Sequence, residues 1–65
     1  MDNKELRTAL EEGFQVECEG VRYDHVDQIV YRRVKGKISV TAGLMDLNGN
    51  CLVFTVPAKI KRADG

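Results

Sequence analysis

At the start of the chain apolar residues recur at three- and four-residue spacing. Leu6, Ala9 and Leu10 fall at i, i+3 and i+4, the stripe of an amphipathic helix. Asp2 stands where a side chain can cap the free N–H groups of a first turn, and Glu5, three residues on, can reach back to it, as in a capping box. Met1 and Leu6 occupy the staple positions around that cap, and Gly13 supplies a left-handed stop. The spacing predicts a helix over about residues 3–12. Ten residues are too few to hold a helix alone, so the Leu6/Ala9/Leu10 stripe must pack on the rest of the domain or on a neighbour.

From Phe14 the period becomes two. Phe14, Val16 and Cys18 alternate with Gln15, Glu17 and Glu19, giving a first strand with a dry and an acidic face that ends at Gly20. Residues 21–23 continue it briefly. Val26 and Ile29 lie three apart around Asp27, which indicates a turn or bulge before a strand resumes over residues 29–34. Lys35-Gly36 is then a two-residue hairpin loop. If Val34 faces Lys37, Tyr31 faces Val40 and Ile29 faces Ala42, so that Ile29, Tyr31, Ile38, Val40 and Ala42 share one surface.

Asn48-Gly49-Asn50 marks the next turn. A two-residue loop would set Met45 against Leu52 and leave Leu44 facing Val53. A three-residue loop with Asn50 left-handed pairs Leu44 with Phe54 and Ala42 with Val56 and keeps one continuous core face; we expect that version, or a compensating bulge at Gly43. Pro57 ends the fourth strand, and residues 58–62 form a last strand or a 3₁₀ turn anchored by Ile60.

A capped helix followed by about five short strands has the size and rhythm of a small, bent antiparallel barrel. The segments YDHVDQIVYRR (residues 23–33) and LMDLNGN (residues 44–50) resemble short bacterial and mobile-element proteins with SH3-like barrels. The resemblance covers nearly the whole chain, rests on pattern and turn spacing, and implies a mainly β fold with one N-terminal helix; it implies no activity. With 65 residues there is room for one domain, helix plus a barrel over about residues 14–62, and a chain of this size buries only about 60% of its unfolded surface.

Charge changes the picture more than composition does. The formal net charge is zero, yet residues 1–27 carry eight acids against three bases, a balance of −5, and residues 28–65 seven bases against two acids, +5. Such segregation concerns partners or self-association rather than fold. On the far side of the second and third strands Val30, Val34 and Met45 interrupt a polar face and are the candidate surface for a protein partner or a homodimer. Arg32, Arg33, Lys35 and Lys37, together with Lys59, Lys61 and Arg62, are the candidate contacts of the alternative reading, a nucleic-acid-binding barrel, if the last segment lies beside the hairpin.

Catalytic and cofactor chemistry find little support. His25 stands between Asp24 and Asp27 with no nucleophile at a defined spacing. Cys18 and Cys51 form no C-x-x-C pair, and two sulfurs with one imidazole do not make a tetrahedral zinc site. The acids lack calcium-loop spacing, and no glycine-rich loop precedes a helix. The expectation is a non-enzyme without cofactor or metal. No apolar run reaches the ~18 residues of a membrane span, and the charged start is not that of a signal peptide, so a cytoplasmic location is expected.

Overall fold

The computed structural model describes residues 1–63. Helix α1 spans Asn3–Glu12, with the Asp2 carboxylate accepting from the Glu5 N–H and the Glu5 carboxylate accepting in turn from the Asp2 N–H. Gly13, at φ +74°, closes it by donating to the Ala9 carbonyl. Leu6 and Ala9 are buried; Leu10 is not, remaining 38% exposed at the side of the helix.

Among the described residues six strands follow, against the expected five or so: β1 (Val16–Cys18), β2 (Val21–Tyr23), β3 (His25–Val34), β4 (Lys37–Met45), β5 (Leu52–Thr55) and β6 (Ile60–Arg62), with a 3₁₀ turn at Pro57–Lys59 before the last. They form two antiparallel three-stranded sheets, ordered β2-β1-β6 and β3-β4-β5. No ladder joins the two sheets among the described residues, so the fold is mainly β with one helix but not a closed barrel. The extra strand arises at Glu19-Gly20. Both residues have positive φ (51° and 81°), the backbone of a tight primed turn, which folds β2 back on β1 instead of extending it.

The β3–β4 hairpin has the register its sequence predicts. Val34 pairs with Lys37, Tyr31 with Val40 and Ile29 with Ala42, around a turn with Lys35 and Gly36 at φ 50° and 79°. The strand starts earlier than expected, at His25, because the irregularity lies inside it. The register shifts between Val26 and Gln28, leaving Asp27 as the extra residue. That bulge keeps Val26 and Ile29, three apart, on the same core-facing side.

The β4–β5 connection departs from expectation. Leu44 pairs with Val53, Met45 with Leu52, and Gly43 with Phe54, the arrangement that breaks the continuous apolar face. Local hydrogen bonds explain why. The Asp46 carboxylate accepts from the N–H groups of Asn50 and Cys51, the Asp46 N–H donates to the Cys51 carbonyl, and the Gly49 N–H donates to the Asp46 carbonyl. Gly49, not Asn50, takes the left-handed conformation, at φ +73°. Gly43 is not bulged; it pairs regularly with Gln28 and Phe54.

The core is small: Leu6, Ala9, Val16, Cys18, Val26, Ala42, Leu44 and Ile60 are buried, with Met1, Phe14, Tyr23, Ile29 and Val40 packed around them. It draws on α1, both sheets and the residue that opens β6. Cys18 ties the sheets together, its thiol donating to Thr55 Oγ1 at 3.6 Å. The domain measures 38 × 23 × 21 Å. A ten-residue strand at about 3.3 Å per residue runs ~33 Å, so the β3–β4 hairpin accounts for the long axis. Its far end carries no cover: residues 31–39 are all exposed, including Tyr31 at 61% and Ile38 at 59%.

Candidate functional site

The face of the β3-β4-β5 sheet turned away from the core is fixed by the alternation of its strands. Gln28, Gly43 and Phe54 form one row across it, Met45 and Leu52 the next, and Val30 and Thr41 a third on the other side. Further along lie Arg32 opposite Ser39 and Val34 opposite Lys37. Val30, Val34 and Met45 therefore share a face but do not touch as one cluster. Val30 and Met45 are half-buried, and Val34 is exposed at the hairpin end.

Phe54, 55% exposed, and Leu52 join this face, and neither is evident from pattern alone, because their side follows from the loop register. Asp46 three residues ahead of Gly49 was the available signal, since Asp favours the first position of a type I turn and can cap its backbone. Phe54 lies low across the sheet. A Cβ at Gly43 would stand 3.1 Å from Phe54 Cε1 and 2.9 Å from Gln28 Cγ, so glycine there lets both side chains close over the strand.

The seven basic residues separate into two groups. Arg32 and Lys37 lie on the outer face of the hairpin, Arg33 on its core side and Lys35 in the turn. Among the described residues none of these four has an acidic partner within ion-pair distance. The C-terminal bases belong to the other sheet, where β6 lies along β1. Lys59 Nζ is 2.9 Å from Glu19 Oε1 and Lys61 Nζ 3.5 Å from Glu17 Oε1, while the Arg62 guanidinium sits 4.2 Å over the Phe14 ring, a cation–π contact. The hydrogen bond from Lys59 to Glu19, and then the carboxylate's charge, hold the Lys59 ammonium above the usual lysine range.

His25 is held by its two neighbours, Nδ1 2.8 Å from Asp24 Oδ2 and Nε2 3.7 Å from Asp27 Oδ1. The bulge that displaces Asp27 brings the second carboxylate round to the ring. Cys18 is buried and Cys51 exposed, both as free thiols. Among the described residues no group of three His, Cys, Asp or Glu side chains converges in metal-binding geometry. Among the described residues no helix is long and apolar enough to cross a membrane.

A shallow groove separates α1 from β3 on the core side of the sheet. Asn3, Lys4, Arg7 and Leu10 line it from the helix, Ile29 and Tyr31 from the strand. It exists because Leu6 and Ala9, rather than Leu10, turn fully into the core. In comparisons with known proteins, the chain matches no family model, no curated protein and no solved structure.

Proposed function

We propose that this chain is a non-catalytic interaction module, built on an open SH3-like arrangement of two small sheets, that acts through protein contacts and first through association with its own copies. The observation that carries the reading is Phe54, more than half exposed on a sheet face that also bears Leu52, Val30, Met45 and Val34. An apolar face of that kind on a domain with so few buried side chains marks a contact surface. A reducing cytoplasm suits the two free thiols.

Static light scattering over a concentration series tests it. The mass should rise above that of one chain, and Phe54→Ser should push the rise to higher concentration. A constant single-chain mass up to about 1 mM, the scale of the weakest specific contacts, overturns self-association.

A second reading, a nucleic-acid-binding module, is favoured by one observation: among the described residues Arg32, Arg33, Lys35 and Lys37 project without acidic partners beside an exposed Tyr31. Cations with an adjacent aromatic ring suit phosphate contact and base stacking. Lys59, Lys61 and Arg62 contribute less, since each is already engaged within the other sheet. Titration of labelled single- and double-stranded oligonucleotides at low salt decides it, and absence of salt-sensitive binding removes it.

A further inference from the structure

We propose that the free edge of β3 and the adjoining side of α1 form a cleft that takes an extended, acidic segment of a partner protein as an added strand. This rests on the reading of the chain as a protein-contact module and gives it a second surface, on the opposite side of the sheet from Phe54.

The sheet order β3-β4-β5 leaves β3 at an edge along its whole length. Val34 and Lys37 flank a two-residue turn, so they form a hydrogen-bonded pair, and by alternation Val30 and Arg32 also direct their N–H and C=O groups to β4. Ile29, Tyr31 and Arg33 direct theirs outward. Among the described residues, no backbone hydrogen bond outside the ladders reaches these three. A row of unspent donors and acceptors is a template for another strand.

The α1 groove lies beside that edge and supplies what a bare edge lacks. Leu10, Ile29 and Tyr31 give it apolar lining, where every second side chain of an added strand would fall. Its charge is one-sided. Lys4 and Arg7 line it, Arg33 shares the face of Ile29 and Tyr31, and Arg32 stands next along the strand. Among the described residues, Glu11, 4.0 Å from Arg7 Nε, is the one acid within ion-pair distance of them.

Those cations select the occupant. Two copies pairing β3 to β3 would bring Lys4, Arg7, Arg32 and Arg33 of both chains together, the like-charge juxtaposition that protects edges from self-pairing. An acidic segment meets no such repulsion. Its pattern follows from the edge: apolar residues opposite Ile29 and Tyr31, and carboxylates opposite Arg33 and Arg32.

The probe is a pool of terminally blocked hexapeptides carrying two adjacent Asp or Glu, then Val, Ile, Leu or Phe alternating with Thr, synthesised in both chain directions. Titrated to about 1 mM against the ¹⁵N-labelled full chain, the pool should shift the amides of Ile29, Tyr31 and Arg33. Replacing its acids by Lys should weaken binding at least ten-fold. N-methylation of the peptide backbone opposite Tyr31 should do the same, which charge attraction alone would not. Arg7→Glu and Arg33→Glu, both exposed, should each weaken binding several-fold, and Phe54→Ser should leave it unchanged.

Absence of shifts at those three amides overturns the proposal, as do shifts confined to Gln28, Gly43 and Phe54. A single-stranded oligonucleotide that occupies the same amides more tightly than any peptide overturns it in favour of nucleic acid, and cross-linking of two chains through Tyr31→Cys overturns it in favour of self-pairing. Phe54-dependent self-association survives each of the first two results, so the cleft and the broader reading fail separately.

Discussion

Asp46 accepts from two backbone N–H groups of its own loop and thereby sets the pairing of everything that follows. A one-residue slip in β5 would turn Phe54 inward and Val53 outward. Local capping at Asp46 outweighs the apolar gain of that alternative. Removing the carboxylate leaves the Asn50 and Cys51 N–H groups to water, so Asp46→Ala should cost about 1 kcal/mol in urea unfolding, with the loop amides the first to exchange. Gly43 acts in concert with it. Gly43→Val should cost about 1–3 kcal/mol, the usual penalty of overpacking, and should raise Phe54 off the sheet. Leu44, fully buried near the end of β4, the middle strand of its sheet, is the most sensitive single side chain: Leu44→Ala should cost about 2–5 kcal/mol, as much as a domain of this size has to lose.

At the level of elements, what could be read from the sequence was whatever is decided within a few residues. The capping box at Asp2 and Glu5, the stop at Gly13, the bulge at Asp27 and the Lys35-Gly36 turn are each local, and the helix and the β3–β4 register follow from them. The β1–β2 turn was missed because Glu is an unusual residue at positive φ. The β4–β5 register is not legible from alternation, because the hydrogen bonds of the Asp46 loop outweigh continuity of the apolar face. Of the candidate surface, Val30, Val34 and Met45 were legible from alternation, but Phe54 and Leu52 required the register, and the groove beside β3 depends on Leu6 and Ala9, rather than Leu10, turning into the core. The turns carry a testable cost. Lys35 sits at φ 50°, a conformation that L-residues other than Asn and Asp seldom adopt, so Lys35→Asn should stabilise by about 0.5–1 kcal/mol and raise the melting midpoint by some 2–8 °C.

For the whole molecule, the segregated charge of the sequence is partly folded away. β6 brings Lys59 and Lys61 onto Glu19 and Glu17 of the acidic half, so the imbalance falls from five charges to three in each half, and the positive excess sits mainly on the projecting hairpin. Association through the Phe54 face should therefore persist when salt is raised from low ionic strength to about 0.5 M, where the screening length falls to a few ångströms. A mass rise that disappears with salt would instead indicate charge-driven contact. The Lys59–Glu19 pair is exposed and should matter little at neutral pH. Because the Lys59 pKa is raised in the fold, its contribution is present in full below the ordinary lysine range and lost only above it. Glu19→Gln should bring the Lys59 titration, followed by NMR, back toward the unperturbed value.

The ladder between β1 and β6 joins residues 16–18 to residues 60–62, so the first sheet spans almost the whole described chain. The second hairpin, by contrast, is assembled from neighbours across a two-residue turn. On a ribosome emitting about 5–20 residues per second, the hairpin can form as soon as Met45 has emerged, while Val16 and Cys18 wait for Ile60 to seal the core. During that interval the half-made domain presents its apolar strands to whatever is near, and nascent copies on one message are the nearest.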